Sequence, residues 1–208
     1  MGDVIYLKDR RVARAQAPRE TRPVFFFDLA CPLSYLSAER IERVLGNVEW
    51  IPATLGAAGP TRPPSQTAAI RAHAETLAIA MRIPLIWPEA FPAESPRAMR
   101  AALHAAESGA GARFALAAGR LAFCGGFDLD DPDILAEAAA AAGIQPECSL
   151  AAAADPAWDA ELQATGRRLR SAGVSELPAI CIDGDWLDGD AAVAEALALR
   201  PTLRLSRG

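Results

Sequence analysis

The stretch "VFFFDLACPLSYLS", residues 24–37, joins a run of bulky apolar residues to a cysteine, a proline and a helical pattern. Four consecutive apolar residues, Val24 to Phe27, suit a short strand buried on both faces of a sheet, with Asp28 at its end. Leu33, Leu36, Ile41, Val44 and Leu45 then recur near helical spacing until Gly46-Asn47, a stop signal. Pro32 marks the first helical position and leaves Cys31 at the helix start. A thiol there faces unpaired backbone N–H groups and the positive end of the macrodipole, which predicts a pKa clearly below the ordinary ~8.5. Against this stands the packing role of free cysteine as a small buried apolar residue. Asp28 opposes the thiolate, takes up its proton, or caps the following turn.

The next strand is "VEWIPAT", residues 48–54, where Pro52 demands a sheet edge or the end of the strand. From 65 to 172 the chain is alanine-rich and helical, with Ile70, Leu77 and Met81 on one face. Ser95-Pro96, Asp131-Pro132 and Asp155-Pro156 each read as a cap followed by a first-turn proline. Four or five helices are expected there, and the alanine runs at 138–142 and 151–154 are helix-forming composition, not a repeat. "AICIDGDWL", residues 179–187, predicts two short strands around an Asp183-Gly184 turn, followed by a helix from Asp190 to Leu199.

With 208 residues and 51% hydrophobic content, the chain can bury a full core in one domain or one domain with an insertion. Its formal charge of −5 argues against a nucleic-acid partner. The basic clusters are the leader and "GRRLR" at 166–170, which lack interleaved aromatics and read as solvated. No window of about 18 uncharged apolar residues calls for a membrane. Residues 1–22 lack the apolar core of a signal peptide, so they read as a flexible leader and the location as cytoplasmic. Cysteines 31, 124, 148 and 181 fall in no CxxC or metal-ligand spacing, so thiols and no metal are expected. Cys124, Cys148 and Cys181 read as buried or incidental. His73 and His104 lack ligands at metal spacing and read as structural.

Strand, helix, strand, a helical insert and a β-hairpin with a closing helix make a thioredoxin-like α/β order. The expected fold class is therefore a thioredoxin-like fold with an inserted all-helical lobe. Residues 23–64 and 173–208 form the thioredoxin-like domain and 65–172 the insertion. "FFFDLACPLSYLSAERIERV" resembles the opening of the 2-hydroxychromene-2-carboxylate isomerase and kappa-class glutathione transferase family, a branch of the DsbA-like thioredoxin superfamily, so the resemblance implies the DsbA-like form of that fold. "GVSELPAICIDGDWLDG" at 173–189 resembles its closing segment, and "FPAESPRAMRAALHAAESG" its insert.

The resemblance implies that Cys31 stands where the family has a serine whose hydroxyl hydrogen-bonds the sulfur of bound glutathione. It implies that Pro178 is cis, that Leu177 offers its backbone N–H and C=O to the cofactor, and that Trp87 lies near an aromatic substrate. Ser34 occupies the place of the second cysteine in disulfide-exchanging relatives and joins the cofactor-binding set. The implied activity is a glutathione-dependent isomerase or transferase acting on an unsaturated aromatic carboxylate, with a homodimer as the candidate assembly. The alternatives are a single-cysteine thiol-disulfide oxidoreductase and a non-catalytic small-molecule binder. The family's Gly-Gln-Asp-Arg after the hairpin reads here Gly189, Asp190, Ala191, Ala192. Its asparagine and basic residue after the second strand fall at Pro60 and near Gln66, and another asparagine falls at Glu94. A different thiol, a different grip on glutathione and lost catalysis stay open.

Overall fold

β1 (Val24–Phe27) lies between β2 (Glu49–Pro52) and β3 (Ala179–Ile182), with β4 (Asp185–Asp188) beyond β3 at the sheet edge. This computed structural model describes residues 22–56, 64–92, 94–189 and 192. The expected helix over 190–199 apart from Ala192, most of the leader and Pro60 lie outside the described residues. β1 runs parallel to β2 and antiparallel to β3, with Phe25 opposite both Trp50 and Ile180. Pro52 is the last residue of β2, itself an edge strand, so both positions the sequence allowed are met.

Alternation along β1 divides the core. Phe25 and Phe27 face α1 (Pro32–Leu45) and the helical lobe, while Phe26 faces the other side with Ala53, Leu169 and Val174. Each fully buried phenylalanine contributes roughly 1.5–3 kcal/mol. α1 turns Tyr35, Leu36, Ala38, Ile41 and Leu45 inward and ends at Gly46, whose φ of 80° is readily adopted only without a Cβ.

Among the described residues six α-helices lie between β2 and β3: α2 (Pro64–Met81), α3 (Pro96–Glu107), α4 (Gly111–Phe123), α5 (Pro132–Ala142), α6 (Pro146–Ala154) and α7 (Asp159–Ser171). This exceeds the expected four or five because the two alanine runs belong to separate helices, split by Gly143 at φ 78° and the restart at Pro146. Asp131 caps α5 by accepting the Asp133 N–H, and Asp155 accepts that of Ala157 to open a 3₁₀ turn. Ser95 precedes Pro96 but makes no side-chain cap.

The lobe shares the sheet's core. Phe114, Phe123 and Leu135 belong to the same buried cluster as Phe25, Leu36 and Ile180. Arg120 grips Glu39 through two nitrogens at 2.6 and 2.9 Å, tying α4 to α1. Arg100 does the same to Asp159 between α3 and α7. α7 packs against the exit of β2 at Gly166, where a Cβ would lie 2.0 Å from the Thr54 carbonyl oxygen.

Candidate active site

The turn from β1 into α1 is braced before Cys31 begins the helix. Asp28 accepts the Ala30 N–H at 2.9 Å on Oδ1, and its own N–H donates to Ser34 Oγ at 3.2 Å. The Leu29 N–H donates to the buried thioether of Met99 on α3 at 3.3 Å, fixing the lobe against the turn. Cys31 has extended φ and ψ at the cap position, and Pro32 follows at the first helical position.

Across from it, the Leu177–Pro178 peptide is cis, as the resemblance implied. Cys31 Sγ donates to the Leu177 carbonyl oxygen at 3.4 Å. Cys31, Ser34, Leu177 and Pro178 thus meet at one place. Trp87 belongs to a neighbouring cluster, linked to α1 through Phe123 and Tyr35. A second cis bond, Phe91–Pro92, was not anticipated.

The thiol corrects one expectation. Burial pushes the Cys31 pKa up, and the Asp28 carboxylate adds to that; the backbone N–H groups of Ser34 and Leu33 and the Ser34 hydroxyl pull it down without overcoming burial. Cys31 as a residue keeps some exposure, yet desolvation is the largest influence on its thiol and outweighs the N–H groups of the helix terminus. Asp28 therefore caps the turn and also opposes the thiolate. Desolvation and Asp28 both favour the protonated form of Cys31, whose thiol donates to Leu177.

The segment before Pro178 is held by a residue that the sequence reading passed over. Asp188 Oδ2 accepts the Ser175 N–H at 2.8 Å, the Ser175 hydroxyl at 3.0 Å and the Glu176 N–H at 3.3 Å. The visible signal was the hairpin itself, which pairs Asp188 with Ala179, next to this loop. The Ser175 N–H above all, with the Ser175 hydroxyl and Glu176 N–H, holds the Asp188 carboxyl below the usual range. A depressed carboxylate contributes stability above its unfolded pKa of about 4, and that contribution is lost as pH falls through the folded value. Asp188→Asn is therefore expected to cost about 1 kcal/mol at pH 7, and less at pH 3, by urea denaturation. An equal cost at both pH values would contradict this linkage.

Tyr35, one turn after Cys31, also carried no functional signal in the sequence. Its hydroxyl donates to the Pro84 carbonyl at 3.2 Å and lies 2.8 Å from Cys124 Sγ, so Cys124 is partly exposed and engaged. Cys148 is exposed and Cys181 partly exposed, and both are free thiols. His104 stands edge-on to Trp158 at 6.0 Å, and His73 is exposed on α2. Gln66 and Glu94 are exposed. Ala192 is fully buried in the apolar core and cannot grip a charged ligand. An open groove of about 600 Å³ lies on the α7 side of the sheet, beside Arg167, Arg168 and Trp186, and does not include Cys31. Among the described residues no cluster of three or more histidine, cysteine or acidic side chains could hold a metal, and no helix is long and apolar enough to cross a membrane.

The model of the DsbA-like thioredoxin domain matches residues 24–198, from β1 to beyond the hairpin. The chain belongs to the DsbA-like thioredoxin family. Among solved structures it is similar to a 2-hydroxychromene-2-carboxylate isomerase, at TM-score 0.77 and 14% identity over 90% of this chain and 98% of that one. It is also similar to a probable DsbA oxidoreductase from Streptomyces coelicolor, at TM-score 0.70 and 20% identity, covering 87% of this chain and 88% of that one. The cytosolic disulfide reductase DsbM from Pseudomonas aeruginosa, solved with GSH, matches at TM-score 0.65 and 19% identity, covering 88% of this chain and all of that one. At these identities the likeness establishes the fold. The search of curated proteins returned no match. For a DsbA-like chain, Ser34 in place of a second cysteine leaves Cys31 without an intramolecular partner at the helix start.

Proposed function

We propose that this DsbA-like protein is a thiol-dependent isomerase or transferase acting on an unsaturated aromatic carboxylate. In this reading Cys31 does a serine's work: it donates a hydrogen bond to the sulfur of a small-thiol cofactor, for which glutathione is the thiol the resemblance implies. The observation that carries this is the Cys31 thiol donating, at 3.4 Å, to the Leu177 carbonyl, in surroundings whose desolvation favours the protonated form. The sulfur end of such a cofactor fits the residues present. The Leu177 N–H has no hydrogen-bond partner among the described residues, and its carbonyl is engaged only by the thiol. Together they offer a peptide edge to an arriving peptide-like thiol. A bound thiolate supplies a nucleophile that adds to an electron-poor carbon and later leaves it.

The chain's own residues orient and exclude. Cys31 turns its S–H from Leu177 to the arriving sulfur and stabilises negative charge there. Ser34 and Asp28 fix the turn that aims it. Buried Pro178 shapes the opposite wall and keeps water from the sulfur. Cytoplasmic location, glutathione as the cofactor and a homodimeric assembly belong to the same proposal.

The test is turnover of 2-hydroxychromene-2-carboxylate with and without glutathione, for the native protein, Cys31→Ser and Cys31→Ala. Retention in the serine variant with loss in the alanine variant supports the proposal. Loss in both, with a mixed disulfide on Cys31 after exposure to oxidised glutathione, would establish a single-cysteine oxidoreductase instead.

A further inference from the structure

The loop after α2 carries the other candidate residue, Trp87, and its ring is not an open platform for a ligand. Arg71, on α2, places its guanidinium carbon 4.7 Å from the centre of the Trp87 ring and 5.9 Å from that of Phe91. One turn further along α2, Glu75 accepts the indole N–H at 2.8 Å. Phe91 and Phe123 pack against the same indole with ring centres 4.6 and 6.3 Å away. Glu75 takes the indole N–H and Arg71 lies over the ring, so a guanidinium occupies a position from which a ligand would otherwise stack on the indole. Phe123 in turn stacks on Tyr35 at 5.5 Å, which places the cluster against the helix that begins at Cys31.

Arg71 is half-buried and pairs with no carboxylate among the described residues. Arg100 and Arg120 behave differently, each using two nitrogens on one carboxylate. A guanidinium over an indole gains from the ring's π-face and keeps its in-plane N–H groups for another partner. Those N–H groups form a fork that matches a carboxylate. Packing on the aromatic rings also limits the rotamers of Arg71, so less freedom is lost when an anion arrives.

We infer that Arg71, seated on Trp87, is the residue that selects for a carboxylate on a planar substrate of this protein. The ligand class rests on the function proposed above; the recognition element is read from the geometry of the cluster.

The test uses trans-cinnamate and its neutral amide, trans-cinnamamide, titrated calorimetrically into the full chain. Cinnamate is expected to bind about tenfold or more tighter than cinnamamide, the difference that a charged hydrogen-bonded pair supplies. Arg71→Met keeps an apolar stem on the indole and removes the fork. It is expected to bring the ratio close to one while leaving the amide's affinity unchanged. Arg71→Lys, which keeps the charge without the fork, is expected to fall between, and it carries the test if the methionine variant does not fold. An unchanged ratio in both variants, or cinnamate binding no tighter than the amide to the native chain, would overturn the inference. The same titrations on Cys31→Ala separate it from the proposed reaction. A preserved ratio beside a failed Cys31 turnover pattern removes the reaction and keeps Arg71; the reverse removes Arg71 alone.

Discussion

Cys31→Ala is expected to lower thiol-dependent turnover about a hundredfold, the low end of what removing one preorganised donor to a developing anion costs. The low end applies because a thiol is a weak donor. Cys31→Ser is expected to keep the activity or raise it, since a hydroxyl donates more strongly from the same cap position. The two variants separate the roles because a serine with nothing to deprotonate it cannot replace a nucleophilic thiolate, yet it can replace a donor. Three features favour the donor: burial that raises the thiol pKa, the Asp28 carboxylate that raises it further, and an S–H already directed at the Leu177 carbonyl. A serine variant as inactive as the alanine variant would show that Cys31 attacks. Steady-state rates at saturating thiol, with melting curves to confirm folding, make the comparison.

Gly166→Ala is expected to destabilise the fold by about 2 kcal/mol, lowering the melting temperature by roughly 4–8 °C for a chain of this size. At an ordinary exposed helical site the same change would stabilise by up to about 1 kcal/mol through helix propensity. The sign reverses here because the added Cβ would sit 2.0 Å from the Thr54 carbonyl oxygen, a backbone atom that cannot swing aside. α7 would have to lift from the end of β2, loosening Leu169 and Val174 from Phe26 and Ala53 on that side of the sheet. A variant as stable as the native chain would mean that α7 and β2 separate more easily than this packing implies.

Local chemistry was legible wherever it decided local structure. The continuous apolar run at Val24–Phe27 marked a central strand, and Pro32 and Gly46 marked both ends of α1. Asp183 and Gly184 marked the hairpin turn, and both have positive φ, at 53° and 99°. The motif around Pro178 supported a cis bond opposite the thiol. The missed features depend on residues distant in sequence. The sign of the Cys31 shift is set by burial, which no helix-terminus argument contains, and the partner of its thiol lies 146 residues away. Asp188 is assigned its task only once the hairpin register is known. Gly166 reads as part of a basic, solvated run, and only the packing of α7 against Thr54 shows why glycine stands there. Trp87 was singled out as an aromatic near the substrate, but the guanidinium above its ring becomes visible only when α2 and the following loop are brought together.

The central claim is that Cys31 works as a protonated hydrogen-bond donor. The rate of its alkylation by iodoacetamide against pH, read by the mass of the peptide that contains residue 31, tests it most directly. The folded protein is predicted to titrate above the ordinary thiol value of ~8.5. A midpoint below about 7 would contradict the account, because Cys31 would then stand as a thiolate at neutral pH and its place at the helix start would mark an activated nucleophile.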